Sequence, residues 1–346
     1  MDESRDLLGR PRVVVVTRPT EYQLLLAQHG TREQANFFLS TRGQTIAPVH
    51  AAHEAFQAAR HEVLAAIPGS WRQACIERAD LHRFLFEPND LVIAIGQDGL
   101  VANVAKYLRG QTVIGVDPAP GSNAGVLVRH RAGAAGKLMQ AAARGRLQVE
   151  RRTMVEVRLD DGQRLVALNE IYLGHPRHQS ARYRIATQAG SERHSSSGVV
   201  VTTGTGATGW ACSIARQRAP LRLPQPDEAR LAFYVREAWP SPTTGTAITQ
   251  GLLDIGERIE LISEHDEGVV FGDGIEADRL EFRWGVRASV GTYDDGRRVG
   301  EWTELAPNGV RVLEGQYVDG DKDGSWREYD EEGRLVAEER WKRGTR

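Results

Sequence analysis

Leu91-Val-Ile-Ala-Ile-Gly96-Gln97-Asp98-Gly99, running straight into Leu100-Val-Ala-Asn-Val-Ala-Lys-Tyr107, decides how the first half of this chain folds. A short apolar run rich in β-branched residues reads as a buried strand, and the glycines behind it let the chain turn sharply into a helix. The helix extends to about Leu108, and Thr112-Val-Ile-Gly-Val116 follows as a second buried strand. Strand, turn, helix and strand in this order form a βαβ unit, which requires parallel pairing and a layered α/β domain. Working outward, Arg12-Val-Val-Val-Val-Thr17 is a first buried strand, and residues 20–66 carry helical spacing up to Pro68-Gly69. Glu77 to Phe86 mixes charged and apolar residues and reads as helix. Asp117-Pro-Ala-Pro-Gly-Ser-Asn-Ala-Gly125 is a loop by its Pro and Gly content.

From about residue 150 the pattern changes. Met154–Leu159 alternates apolar and polar, Asp160-Asp161-Gly162 makes a hairpin turn, and Arg164–Leu173 returns as a strand. Short strands follow at Ala181–Thr187, Gly198–Thr203, Arg230–Val235, Arg258–Ile262, Val269–Phe271 and Leu280–Arg283. The expected organisation is an α/β domain over 1–148, a β-rich domain over 149–288 and a terminal module over 289–346.

That module repeats with a period of 24: Gly291-x-Tyr293-x-x-Gly296-x-x-x-Gly300-x-Trp302 recurs as Gly315-x-Tyr317-x-x-Gly320-x-x-x-Gly324-x-Trp326. A third copy begins at Trp341 and Gly344. Each unit reads as a hairpin whose glycines turn and whose aromatics stack on the next unit. The pattern resembles MORN-type repeats of the antitoxin-like variant, which implies a docking or capping module with a protein partner.

Composition narrows the classes. At 346 residues and a net charge of −2, the chain has room for a large core and no general electrostatic reason to bind nucleic acid or an acidic membrane. Cys75 and Cys212 make no disulfide framework, and the ten histidines form no metal-ligand spacing. No apolar run approaches membrane-spanning length and the acidic start is not a signal peptide, so a cytoplasmic location is expected.

Two glycine turns carry the candidate chemistry. In Gly96-Gln97-Asp98-Gly99, Asp98 either caps the next helix or accepts a proton from a substrate hydroxyl while backbone N–H groups hold a phosphate. Thr203-Gly204-Thr205-Gly206-Ala207-Thr208-Gly209-Trp210 contains the GxGxxG string of dinucleotide folds. A dehydrogenase reading fares poorly, because hairpins surround the motif. The acidic residue expected about 20 positions on would fall at Asp227 or Glu228, in a Pro-rich loop. Asn169-Glu170 interrupts an apolar strand with groups suited to a nucleoside edge, or with an exposed polar pair. Ser195-Ser-Ser197-Gly198 is equally ambiguous, and Asp273 reads as a hairpin turn rather than a catalytic acid.

In order, these pieces resemble the NAD kinase family over about residues 10–290: Gly96–Gly99, Gly115-Val-Asp-Pro with Gly125-Val-Leu127, Asn169-Glu170, Ser197-Gly198 and Thr203–Trp210. The resemblance implies a Rossmann-like α/β domain joined to a β-rich domain with the site between them, and homo-oligomers. It makes Asp98 the base on the 2′-hydroxyl of NAD's adenosine, with Gly96, Gln97 and Gly99 at the phosphates. Asn169, Glu170, Ser197, Thr205, Gly206, Thr208, Gly209 and Trp210 would bind nucleotide. Five positions depart from the family pattern. Gln97 stands for a glycine, Ser197 for an aspartate, Gly204 for a proline and Gly209 for an alanine, while Trp210 takes the place of a tyrosine.

The expected activity is phosphoryl transfer from ATP or polyphosphate to NAD, with Mg²⁺ carried by the phosphates and Asp98 as a further candidate for it. The alternatives are a kinase of the same superfamily acting on a sugar or nucleoside, and a non-catalytic NAD/ATP sensor whose repeats relay occupancy.

Overall fold

The computed structural model describes residues 11–121, 125–218, 220–293, 300–305, 311–318, 321–330 and 333–342. The chain separates into two compact units, Met1–Tyr293 and Asp294–Arg346.

The first unit begins with a four-stranded sheet. Strand β1 (Val13–Thr17) leads into helices α1 (Glu21–His29), α2 (Arg32–Ser40) and α3 (Ile46–Ala65). Then come β2 (Gln73–Glu77), β3 (Leu91–Ile95), helix α4 (Asp98–Ala105), β4 (Thr112–Val116) and α5 (Ala135–Ala143). The strands lie in the order β2-β1-β3-β4, and every pair is parallel. Both faces are covered, which is why β1 and β3 read as unbroken apolar runs instead of alternating. Val13, Val15, Ile93 and Ile95 pack on Phe56 and Val63 of α3 and Met139 of α5. Val14, Val16, Val92 and Ala94 pack on Leu100, Val101 and Val104 of α4. Each fully buried valine or isoleucine here contributes roughly 1.5–3 kcal/mol. Arg12 fastens the lower ends of β1 and β3 through Asp90, with Nε–Oδ1 at 2.9 Å and a second nitrogen to Oδ2 at 2.6 Å.

Two elements differ from the expectation. Gln73–Glu77 is a strand, and only a short 3₁₀ turn, Arg78–Arg83, stands where the sequence pattern predicts a helix over 77–86. Gln73–Glu77 sits at the sheet edge with Ile76 alone buried, so it shows neither an apolar run nor clean alternation.

The rest of this unit is a β-sandwich. Its strands are β5 (Val155–Leu159), β6 (Arg164–Ala167), β7 (Glu170–Gly174), β8 (Ala181–Thr187), β9 (Gly190–Ser196) and β10 (Val199–Thr202). After the one-and-a-half-turn helix α6 (Trp210–Ala215) come β11 (Leu231–Val235), β12 (Gln250–Leu253), β13 (Arg258–Ser263), β14 (Val269–Gly272), β15 (Ile275–Glu281) and β16 (Arg287–Thr292). They form two six-stranded antiparallel sheets, β12-β11-β10-β7-β14-β15 and β6-β5-β16-β13-β8-β9. Inward residues of both sheets, such as Val157, Ile185 and Val290 against Ile171, Val201 and Phe233, share one core.

Arg164–Leu173 is therefore not a single strand. Its first part pairs with β5 in one sheet and its second part with β10 and β14 in the other. The chain changes sheets at Leu168-Asn169. Between the sandwich and α4, Lys106 Nζ reaches the Gly272 carbonyl at 2.7 Å and Asp278 Oδ2 at 3.1 Å.

The second unit is a four-stranded antiparallel meander of β17 (Gly300–Leu305), β18 (Arg311–Val318), β19 (Asp321–Tyr329) and β20 (Leu335–Trp341). Trp326 is buried, and its indole nitrogen donates to the Gln316 carbonyl at 3.0 Å. The repeat glycines Gly296, Gly320 and Gly344 lie outside the described residues, and Gly291 belongs to β16 of the first unit. No helix among the described residues is long and apolar enough to cross a membrane.

Candidate functional site

The first glycine turn connects β3 to α4. Gly96 N–H donates to the Val116 carbonyl at 3.0 Å, which ties the turn to β4. Gln97 takes the N-cap position, and its Oε1 accepts from Arg18 at 2.6 Å. The Gln97 side chain is thus turned toward the loop after β1. Asp98 and Gly99 open α4, and their N–H groups have no partner among the described residues. Such first-turn donors have no intrahelical acceptor and suit an anion. A methyl on Gly99 would meet nothing within 4 Å, so packing does not demand glycine there.

Asp98 does not point its carboxylate freely into solvent. Oδ2 accepts from Val126 N at 2.9 Å, and Oδ1 accepts from Leu127 N at 2.7 Å and Val128 N at 2.9 Å. An ionised carboxylate has about four acceptor positions, and three of them hold this loop.

The second turn is built differently. Thr203, fully buried, donates its hydroxyl to the Leu168 carbonyl at 2.6 Å and accepts from Thr205 N at 3.1 Å and Gly206 N at 3.2 Å. Ala207 N donates to Thr203 O, and Gly209 N to Gly206 O. The turn satisfies its own amides, leaving few for a phosphate. Its glycines have a packing reason instead: a methyl at Gly204 would lie 1.9 Å from Gln225 O, and one at Gly206 would lie 2.3 Å from Asn169 O.

This close approach seats the turn against Asn169-Glu170. The Asn169 carbonyl accepts from Thr203 N at 2.9 Å, and Glu170 pairs with Thr202 across the β7–β10 ladder. Asp273, at φ +54 in the β14–β15 turn, accepts from Leu168 N at 2.9 Å and Asn169 N at 2.7 Å. Burial pushes the Asp273 carboxyl above its ordinary range, while these amides and Lys106 pull it down. With their backbones clamped, the Asn169 amide and the Glu170 carboxylate carry no hydrogen bond or ion pair among the described residues. Burial, and secondarily the charge of Asp273, raises Glu170 to about 7.

Arg152 links the two turns. Its guanidinium donates to Thr205 Oγ1 at 3.2 Å and to Glu150 at 2.6 Å, and it lies in the field of Asp98. Asp98, Thr205 and Asn169 are therefore brought to one place. Thr208 and Gly209 are exposed on the same turn, Thr208 bonding its hydroxyl to the Thr205 carbonyl at 3.1 Å.

Ser197 and Trp210 lie elsewhere. Ser197 is at the far end of β10, where its carbonyl accepts from the Tyr172 hydroxyl at 3.1 Å. Trp210 stacks on Tyr172 with ring centres 5.9 Å apart, and Arg236 lies 5.2 Å over its ring. With Phe271 and Arg279 they line a cavity of about 150 Å³ open to solvent. Aromatic walls with two guanidinium groups suit a planar ring bearing negative charge.

Among the described residues, no three His, Cys, Asp or Glu side chains come together around a metal position. The Asp98 carboxylate is turned onto its loop and offers little to a cation. Mg²⁺ fits this site as a companion of substrate phosphates, which is how that ion usually binds. Arg152, Thr203 and the clamping role of Asp273 escaped the sequence reading. Only Thr203, beside the GxGxxG string, carried a local signal.

No protein-family model and no curated protein matches the chain. Solved structures do. A yeast NADH kinase in complex with NADH is similar at a TM-score of 0.52 and 14% identity, over 83% of this chain and 81% of that one. An NAD kinase from Archaeoglobus fulgidus in complex with ATP gives a TM-score of 0.50 and 16% identity, over 82% of this chain and 90% of that one. At such identities the likeness is one of fold. The parallel sheet joined to an antiparallel sandwich is the fold of NAD(H) kinases.

Proposed function

We propose that this protein is an NAD kinase-like phosphotransferase, moving the terminal phosphoryl group of ATP or polyphosphate to a hydroxyl. The acceptor we assign is the 2′-hydroxyl of NAD's adenosine, giving NADP. The carrying observation is that Arg152, in the field of Asp98 at the anion-ready helix start, bonds Thr205 of the turn seated on Asn169, and that the Asn169 and Glu170 side chains there have no partner among the described residues. Phosphoryl transfer requires little covalent chemistry from a protein, and positioning with charge neutralisation does most of the work.

In this reading the Asp98 and Gly99 N–H groups and Arg152 hold donor phosphates, and Asn169 and Glu170 hold the acceptor's ribose. Thr205, Gly206, Thr208 and Gly209 form the wall beside it, while Trp210 lines the aromatic cavity where a base can stack and Ser197 holds the hydroxyl of Tyr172 in that cavity through its carbonyl. Mg²⁺ bound to the phosphates would neutralise charge there. Homo-oligomerisation, a cytoplasmic location and a protein partner for residues 291–346 belong to the same proposal.

The test is product formation by the full chain with NAD⁺, ATP and Mg²⁺, read by chromatography. NADP⁺ appearing with matching ADP supports the reading. Binding of NAD⁺ and ATP without product would instead favour a sensor, and ATP consumption accelerated by a sugar or nucleoside would favour another acceptor.

A further inference from the structure

The two sheets of the sandwich treat their outer faces differently. On β12-β11-β10-β7-β14-β15 the outer residues Tyr172 and Val200 are buried, packed on Trp210 and Ile214 of α6. On β6-β5-β16-β13-β8-β9 the outer face is open, and its exposed side chains are mostly arginines. Side chains alternate along a strand, so Val157, Ile185, Ile259 and Ala288 enter the core while their neighbours stand outside.

The register makes this arrangement costly. Arg158 of β5 lies directly opposite Arg164 of β6, and Arg184 of β8 directly opposite Arg193 of β9. Like charges in opposed positions destabilise a sheet. Arg258 of β13 and Arg287 of β16 stand on the strands between these pairs. The whole chain carries a net charge of −2, so the positive charge belongs to this face and not to the composition.

Glu156 holds part of the cluster in place. It is fully buried beneath guanidinium groups: Arg158 Nε donates to its Oε2 at 2.8 Å, Arg164 Nε lies 3.4 Å from Oε1, and an Arg258 Nη lies 3.8 Å from Oε2. Ser289 fixes Arg258 further, its hydroxyl accepting at 2.8 Å and its carbonyl at 3.2 Å. One carboxylate faces three guanidinium groups, so positive charge is in excess, and Arg158 and Arg164 remain 53% and 48% exposed. The other acidic groups are Glu260 in the middle of the face and Glu264, which pairs with Arg193.

This pattern selects its partner. A polyanion of uniform charge, such as RNA or polyphosphate, meets Glu260 in mid-face. Tyr293, at the margin, already lies under Arg164, so no strand residue there offers a free ring for a base to stack on. A second copy of the same face brings arginine onto arginine. A protein surface with clustered carboxylates fits the cations and can leave a gap at Glu260, and the arginine fork binds carboxylates bidentately. We infer that this sheet face docks a partner protein presenting clustered Asp and Glu side chains, with Arg158, Arg164 and Arg258, held by Glu156, as the anchor. Neither the face nor its partner enters the phosphotransfer reading, so each stands or falls alone.

The probe is a fluorescein-labelled decaglutamate peptide, titrated with the full chain in about 0.15 M salt and read by anisotropy. Wild type should bind it. Joint Arg158→Ser and Arg164→Ser should weaken binding about tenfold or more, as loss of arginine anchors does. Arg32→Ser, on α2, should leave binding unchanged. Glu156→Gln separates a built site from diffuse charge: it adds positive charge, yet binding should fall because the guanidinium groups lose their anchor. Thermal unfolding checks each variant, and if Glu156→Gln does not fold, the arginine variants decide. No binding by wild type, no loss in the double arginine variant, or tighter binding by Glu156→Gln overturns the inference. So does tighter arginine-dependent binding of a decanucleotide RNA or of polyphosphate, or a homodimer that Arg184→Glu dissolves.

Discussion

The two glycine turns look alike in sequence and do opposite things in the structure. Gly96–Gly99 leaves helix-start donors unpaired and open space at Gly99, so its backbone is available to a phosphate. Thr203–Gly209 closes its amides on the Thr203 hydroxyl and on its own carbonyls, and its glycines admit the Gln225 and Asn169 carbonyls. Glycine permits close approach in both cases, but in one the approaching atom is already part of the protein. A GxGxxG string thus reports tight packing as readily as a phosphate cradle, and its neighbours decide which.

The contrast breaks most visibly at Gly204. Gly204→Ala places a methyl against a backbone carbonyl that cannot swing aside, so about 3 kcal/mol of stability should be lost. An unchanged melting temperature would show that the turn is as open as the first one.

Glu170 tests what the closed turn protects. Its folded pKa of about 7 lies above the ordinary 4.5, so the native protein binds this proton more tightly than the unfolded chain does. Stability from this group is present below pH 4.5 and lost as pH rises to 7. Glu170→Gln escapes that loss and should be more stable than wild type at pH 8, by at most about 3 kcal/mol, with no gain at pH 4.5. Equal denaturation midpoints at both pH values would place the carboxylate in water.

Asp98→Ala should cost about 1–2 kcal/mol by freeing three amides that water partly re-bonds, and should speed hydrogen exchange at Val126, Leu127 and Val128. Unaltered exchange there would return Asp98 to the role of a free acid. The smallest effect on stability belongs to Gly99→Ala, which replaces glycine in the first helical turn without a clash and should change it by less than about 1 kcal/mol. Calorimetry should nonetheless find weaker ATP binding, because the methyl occupies space meant for phosphate.

Much of this architecture is legible in the residues. Leu91–Ile95 is uniformly apolar because helices cover both faces of its sheet, and Met154–Leu159 alternates because Val155, Val157 and Leu159 enter the sandwich core while Glu156, itself buried, pairs with Arg158 and Arg164 on the other face. Where the pattern misleads, the chain is at an edge or changes partner. Gln73–Glu77 is too polar to announce a strand, and Gly190–Ser196 hides one behind small residues. Arg164–Leu173 passes between sheets at Asn169-Glu170, a polar interruption that reads equally well as an exposed pair within one strand. That passage puts Asn169-Glu170 at the site. The order of the motifs pointed to Asn169 and Glu170, whereas the clamp from Asp273, 103 residues beyond Glu170, joins them only through the fold.

The most direct test of the central claim follows the phosphoryl group itself. With γ-labelled ATP, NAD⁺ and Mg²⁺, the full chain should transfer label into a product that co-elutes with NADP⁺, in equal amount to the ADP formed. Label found only in inorganic phosphate, or no ATP consumed while both nucleotides bind, would contradict the assignment of this site to phosphoryl transfer onto NAD.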